Sequence, residues 1–215
     1  DLQQQEYKGV MEFILVDDES EDESAKIIKE MNENDQRFIY CNSSSGKKHL
    51  SFKKKALDAG IIASTHNLLL FTDVDCRLNS KWVSSMAQCF EQNIDYVFGF
   101  TGITKPSNLV AVFQKIDFQM LFTAARSMSL FNLPWASSGQ NQAYLKGTYL
   151  NTGFEKLQHL LQGDDSLFMQ IYCLGSLIII RPKYAILDPE LTSSCPLKPT
   201  ISAAVDSLVH ATEAF

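Results

Sequence analysis

The sequence predicts an α/β fold, a mostly parallel sheet with helices on both faces. Three observations carry this expectation. Short apolar runs alternate with stretches whose apolar residues recur at helical spacing. Two of those runs end on acidic turns, Asp17-Asp18 and Asp73-Val74-Asp75. With 215 residues, 45% of them apolar and 20% charged, the chain is long enough to bury one sizeable core.

Taken in order, residues 12–16 (EFILV) read as a buried strand ending in Asp17-Asp18-Glu19-Ser20. Ile27, Ile28 and Met31 share one face of a helix over 24–32. Residues 37–41 (RFIYC) give a second strand, and a polar loop over 42–46 leads into a helix over 47–59. Residues 67–72 (NLLLFT) form the clearest buried strand. Ser80 stands where it would cap the next helix, whose Trp82, Val83, Met86 and Phe90 make one apolar face. A strand over 96–101 precedes a long apolar helix over 109–131, closed off near Pro134. Helices over 153–161 and 165–173 flank Gly163, and 176–181 (SLIIIR) is a last strand. A helical pattern in Ile201, Val205, Leu208 and Val209 marks the tail over 196–215. In open sheets of this kind ligands bind outside the carboxyl ends of the strands, where both acidic turns fall.

Composition narrows the function. A net charge of −6 argues against a protein that coats nucleic acid, while leaving room for a local basic pocket. The five cysteines (Cys41, Cys76, Cys89, Cys173, Cys195) are odd in number, widely spaced and without CxxC, which reads as reduced thiols in the cytoplasm. His49, His66, His159 and His210 form no metal-ligand spacing with them. No apolar run reaches the roughly 18 residues of a membrane span. No signal peptide opens the chain. The segment is expected to be soluble, with a membrane anchor outside it left open.

Four constellations could carry chemistry. Asp73 and Asp75, one residue apart at a strand end, offer oxygens to a hard cation such as Mg²⁺ or Mn²⁺. A cation there would stabilise a departing diphosphate; the structural alternative is an acidic turn capping the next helix. Asp17 and Asp18 suit hydrogen bonds from a nucleobase or ribose, or helix capping, and one of the pair can do each. The segment Ser43–Lys48 could set backbone amides and a lysine near a phosphate, with Lys47 the better ligand because it opens the expected helix. The run Lys53-Lys54-Lys55 is spread by roughly 100° per residue, so most of it should be solvated. In Gly163-Asp164-Asp165, Asp165 either caps a helix or acts as general base toward an acceptor hydroxyl. Gly139-Gln140-Asn141 could add neutral hydrogen-bonding groups, and Trp135 either stacks on a sugar or packs in the core.

In this order the segments resemble the inverting family 2 glycosyltransferases of the GT-A fold. The matching stretches are FILVDDESEDES, NSSSGKKHLSFKKKALDAGI, NLLLFTDVDCRLNSKWV, GQNQAYLKGTYLNTGFE and GDDSLFMQ, which span roughly residues 10–170. The resemblance implies a nucleotide-diphospho-sugar donor, usually UDP-linked, Mg²⁺ or Mn²⁺, and inversion by a single displacement. The acceptor would be a saccharide or lipid-linked saccharide of the cell envelope, with peripheral association at the inner membrane face. One of Asp17 and Asp18 would meet the base, and Lys47, Asn141 and Asp164 would lie along the nucleotide sugar. Asp73 would contact ribose or the metal-bound diphosphate, Asp75 would ligate the metal, and Asp165 would stand at the position of the catalytic base. One domain is implied over 1–195, with a nucleotide-binding half over 1–100 and an acceptor-side half over 101–195. The chain departs from the family in two ways. Its N-terminal strand is missing, residues 1–7 resembling the end of the helix that should follow it. The Gln-x-x-Arg-Trp element of processive members is absent.

Three other readings compete. A non-catalytic glycosyltransferase-like binding domain would keep donor binding without transfer. A phosphoacceptor receiver domain would share ILVDDE, but CRLNSKW lacks its expected turn after Asp73. A nucleotidyltransferase would need an early glycine-rich phosphate loop, and none is present.

Overall fold

The computed structural model describes residues 1–91, 94–103, 106, 108–131, 133, 135–160 and 164–175. The expected strand at 176–181, the tail over 196–215, Pro134 and Gly163 lie outside the described residues. The chain forms two compact units, each discontinuous in sequence. One comprises Asp1–Glu6 and Leu70–Ala143, the other Tyr7–Leu69 and 144–175 of the described residues.

In the second of these, β1 (Phe13–Asp17) and β2 (Phe38–Asn42) pair in parallel, Phe13 opposite Phe38 and Asp17 opposite Asn42. A crossover helix, α1 (Ser24–Asn34), joins them, as parallel pairing requires. The rings of Phe13 and Phe38 stack 5.0 Å apart on one face of the pair. Against the strands lies α2 (Phe52–Ala63). Gly60 permits this approach, since a Cβ there would stand 2.8 Å from Val16 Cγ2. Both ends of the turn after α2 are tied. Glu12 accepts from the Thr65 and His66 amides, and Lys146 donates to the Ile62 and Ser64 carbonyls at the carboxyl end of α2, where a cation also suits the helix dipole.

The later part of this unit holds α5 (Lys146–Thr152) and α6 (Ser166–Gly175). Gly153 ends α5 at φ 63° and ψ 179°, a positive-φ region open essentially only to glycine. Beyond it the chain makes a 3₁₀ turn, Glu155–Leu157, in place of the expected helix over 153–161. Tyr144, Tyr149, Phe154 and Phe168 close into one buried aromatic cluster.

The other unit is built around α3 (Trp82–Phe90), β4 (Tyr96–Phe98) and α4 (Leu109–Leu130). A three-stranded sheet has the order β3-β5-β4, with β3 at Leu68–Phe71 and β5 at Gln142–Leu145. Trp82, Val83, Met86, Ile94, Val97 and Ala143 form its core, so the expected face of α3 is the buried one. Its cap differs from expectation. The Val83 amide donates to Gln5 Oε1 at 3.0 Å, and Ser80 instead donates to Glu6. Asn108 caps α4 by accepting from the Ala111 amide at 2.9 Å. Along α4, Ala111, Gln114, Phe118, Phe122 and Ala125 are buried, while Leu109, Phe113, Ile116 and Met120 stand exposed on another face. Among the described residues no helix is long and apolar enough to cross a membrane.

Candidate active site

The carboxyl end of β1 delivers Asp17 and Asp18 to one turn and gives them different environments. Asp17 is buried; its Oδ1 accepts the Ser20 amide and its Oδ2 accepts the Tyr40 hydroxyl, both at 3.1 Å. The hydrogen bonds from Ser20, and then that from Tyr40, hold its carboxyl below the usual carboxylate value. Asp18 is exposed. One acid thus shapes the turn and the other faces outward. Opposite Asp17, Asn42 accepts the Ser44 amide at 2.9 Å and fixes the 3₁₀ turn Ser43–Ser45.

Lys47 does not open the helix, because α2 begins at Phe52. The buried carboxylate of Asp58 captures the Lys47 amide at 2.7 Å and holds the loop away from helical geometry. The Lys47 ammonium pairs with Glu155 at 2.6 Å and lies 3.9 Å from Asp58. The Glu155 hydrogen bond raises the Lys47 pKa, and the same bond lowers that of Glu155. Asp58 also accepts the Tyr149 hydroxyl at 2.5 Å. Burial first, and then Asp58, push that hydroxyl far up.

Asp164 and Asp165 stand at the start of α6. Asp164 is only 8% exposed, with Lys53 Nζ 3.8 Å from its Oδ2. Asp165 caps α6: its Oδ1 accepts the Ser166 amide at 2.5 Å and its carbonyl accepts the Met169 amide at 2.9 Å. The lysine run departs from the solvated expectation at one residue. Helical rotation turns Lys54 inward, where it is 1% exposed, while Lys53 stays at the surface.

In the other unit, Asp73 and Asp75 flank Val74, which is fully exposed, and both acids are half-buried. The Cys76 amide closes the turn on the Asp73 carbonyl at 3.1 Å. Helix capping does not account for these acids, since α3 starts only at Trp82. Two hard carboxylates fit a cation that takes its remaining oxygens from a diphosphate and water. No third His, Cys, Asp or Glu joins them in a ready-made cage among the described residues.

Asn141 lies at the start of β5 and is buried; its Oδ1 accepts from Trp82 Nε1 at 2.9 Å and its Nδ2 donates to the Phe100 carbonyl at 3.1 Å. Its carboxamide thus ties α3 to the β4 end. Trp135 is half-buried. Asp58, Tyr149 and Glu155 escaped sequence reading, and Lys54 reads there only as part of a mostly solvated run, because long-range pairing, which leaves no periodic trace, is what distinguishes them. The cysteines described, Cys41, Cys76, Cys89 and Cys173, are free thiols.

Solved structures similar to this chain include three glycosyltransferase-fold proteins. The mannosyltransferase PcManGT from Pyrobaculum calidifontis, in complex with GDP-Man and Mn²⁺, is 14% identical at a TM-score of 0.65, covering 98% of this chain and 55% of its own. S. aureus TarS is 14% identical at 0.57, covering 92% of this chain and 33% of its own. Glucosyl-3-phosphoglycerate synthase from Mycobacterium tuberculosis, in complex with phosphoglyceric acid, is 15% identical at 0.53, covering 88% of this chain and 62% of its own. The chain therefore spans a third to under two thirds of the length of these structures, and its fold is the GT-A glycosyltransferase fold. No curated protein matches. The family described as Glycosyl transferase family 2 matches residues 1–152, most of the chain, and to that family this chain belongs.

Proposed function

We propose that the chain transfers a sugar from a nucleotide-diphospho-sugar, UDP-linked, to an acceptor hydroxyl with inversion. The reading is carried by the acidic turn after β3. Asp73 and Asp75 are paired hard ligands, neither needed as a helix cap, in a chain of this family. Mg²⁺ or Mn²⁺, held by Asp75 and Asp73, would offset the charge of the departing diphosphate. Asp18, exposed beside the satisfied Asp17, meets the base, and Lys47 and Asp164 lie along the nucleotide sugar. Asn141 is assigned to the nucleotide sugar as well, its carboxamide held by Trp82 Nε1 and the Phe100 carbonyl. Asp165 takes the acceptor proton as the new bond to the anomeric carbon forms and the bond to the diphosphate breaks.

Residues 1–100 then supply the nucleotide-binding side and 101–195 the acceptor side. The acceptor is a cell-envelope saccharide, free or lipid-linked, met at the cytoplasmic face of a membrane. The apolar side chains of α4 at the surface support that location, and Mn²⁺ in the mannosyltransferase supports the metal.

The test is calorimetric titration of UDP and GDP with and without Mn²⁺, on the chain and on Asp75→Asn and Asp165→Asn. UDP binding that needs Mn²⁺ and weakens at least about tenfold in Asp75→Asn is expected, each tenfold being about 1.4 kcal/mol. Asp165→Asn should bind UDP normally and lose transfer. Metal-independent binding would overturn the metal assignment, and preference for GDP would overturn the donor.

A further inference from the structure

Lys54 is the most deeply buried cation described in the chain, at 1% exposure in the middle of a run whose neighbours reach the surface. An ammonium is kept in such a place only when its charge and its donors are used. Its Nζ donates to the Leu160 carbonyl at 2.5 Å. Burial lowers its pKa, and the negative charge of Asp164 acts against that. Asp164 is itself nine-tenths buried, and its Oδ2 accepts no hydrogen bond among the described residues. Lys53 reaches that oxygen only at ion-pair distance, 3.8 Å. Two consecutive residues of α2 therefore hold the chain ahead of Asp165: Lys54 at the Leu160 carbonyl, and Lys53 at the Asp164 carboxylate.

We propose that Lys54 is a positioning residue, which fixes Leu160 and the buried Asp164 carboxylate and through them sets the place of Asp165. The inference rests on the reading of Asp165 as the base. A base must stand within hydrogen-bond reach of the proton it takes, and a misplacement of about 1 Å costs on the order of a hundredfold in rate. Without the Lys54 charge, Asp164 would be buried against Lys53 alone. It would move toward water, and Asp165, its neighbour in the chain, would move with it. Asp164 lies along the sugar in the reading above, so the donor KM moves with it, while the affinity for UDP, which carries no sugar, is spared.

Lys54→Met keeps the length of the side chain and removes its charge; Lys54→Arg keeps the charge. The probe reaction is Mn²⁺-dependent hydrolysis of UDP-glucose and of GDP-mannose, with water in place of the acceptor. Its oxygen joins the anomeric carbon, the nucleoside diphosphate leaves, and the water proton goes to Asp165. For Lys54→Met we expect kcat to fall between about tenfold and a hundredfold, with the affinity for UDP with Mn²⁺ unchanged. Lys54→Arg should recover part of the loss. Hydrogen exchange measured by mass spectrometry should accelerate in peptides covering Leu160 to Phe168 and not in those covering α1.

An unchanged kcat, or a weakened affinity for UDP with Mn²⁺, would overturn the positioning role. So would unchanged exchange near Asp165. If Lys54→Met does not fold, Lys54→Gln, which also removes the charge, takes its place with the same expectations. A wild-type chain that neither binds UDP nor hydrolyses either donor would fail the functional reading itself, and the exchange measurement would still decide whether Lys54 holds this segment.

Discussion

At Phe52 the chain accepts a conformation that its side chain disfavours. The residue opens α2 at φ 53°, in the left-handed region, with its ring 63% exposed. A Cβ in that region costs on the order of 1–2 kcal/mol, and a mostly exposed ring recovers little of it through burial. The strain is local and has a local cause. The Leu50 amide closes on the Lys47 carbonyl at 3.0 Å, and Leu50 is buried, so the loop must turn sharply to enter α2. Phe52→Gly should therefore be more stable than the parent by about 0.5–1.5 kcal/mol. In a chain of this size, that is a few degrees in Tm, measured by thermal unfolding. A lowered Tm would mean that the contacts of the ring outweigh the strain. None of this is legible in the sequence, where Ser-Phe-Lys reads as an ordinary stretch of helix.

Between elements, the decisive distance is the one from α2 to β1. Gly60 sits where a Cβ would approach Val16 Cγ2 to 2.8 Å, and Val16, being β-branched, has little freedom to turn away. Gly60→Val should cost about 1–3 kcal/mol by overpacking. Gly60→Ala should cost less, because Ala gains up to about 1 kcal/mol of helix propensity over Gly. Denaturant unfolding of both variants checks the order, and equal stabilities would show that α2 shifts freely. The elements that sequence reading found are β1, α1, β2, β3, α3, β4, α4 and α6, together with α2, whose start it set too early. Most of them are short apolar runs or stretches with apolar residues at helical spacing. Those it missed obey other constraints. Gln142 in β5 is polar yet buried, within reach of the Tyr96 hydroxyl. In α5, Gly147 and Thr148 are weak helix formers, and the element is held by Tyr149 reaching Asp58. The acidic turns were legible because a strand end followed by paired carboxylates is a local signal. The pairing of Lys47 with Glu155, more than a hundred positions away, is not.

At the scale of the whole molecule, neither unit is a continuous stretch of chain, and this governs what a fragment can do. The unit containing β1 and β2 depends on residues from beyond Ala143 for its buried partners. Asp58 needs the Tyr149 hydroxyl, Lys54 needs the Leu160 carbonyl, and the aromatic cluster consists of Tyr144, Tyr149, Phe154 and Phe168. A chain ending at Ala143 would leave a buried carboxylate and a buried ammonium without these partners, each a several-kcal/mol penalty of the kind that unfolds a marginal domain. We expect amide exchange in β1 and β2 to lose its protection in that chain. Tryptophan fluorescence would not report this loss directly, because Trp82 and Trp135, the two tryptophans, both belong to the other unit. Exchange resolved by peptide is therefore the measurement that decides. Protection of β1 and β2 equal to that in the full chain would show that residues 7–69 hold their structure alone. In that case Asp58 and Lys54 would be satisfied by rearrangement within α2 and its loops, and the contacts from 144–175 would serve the site rather than the stability of the strands.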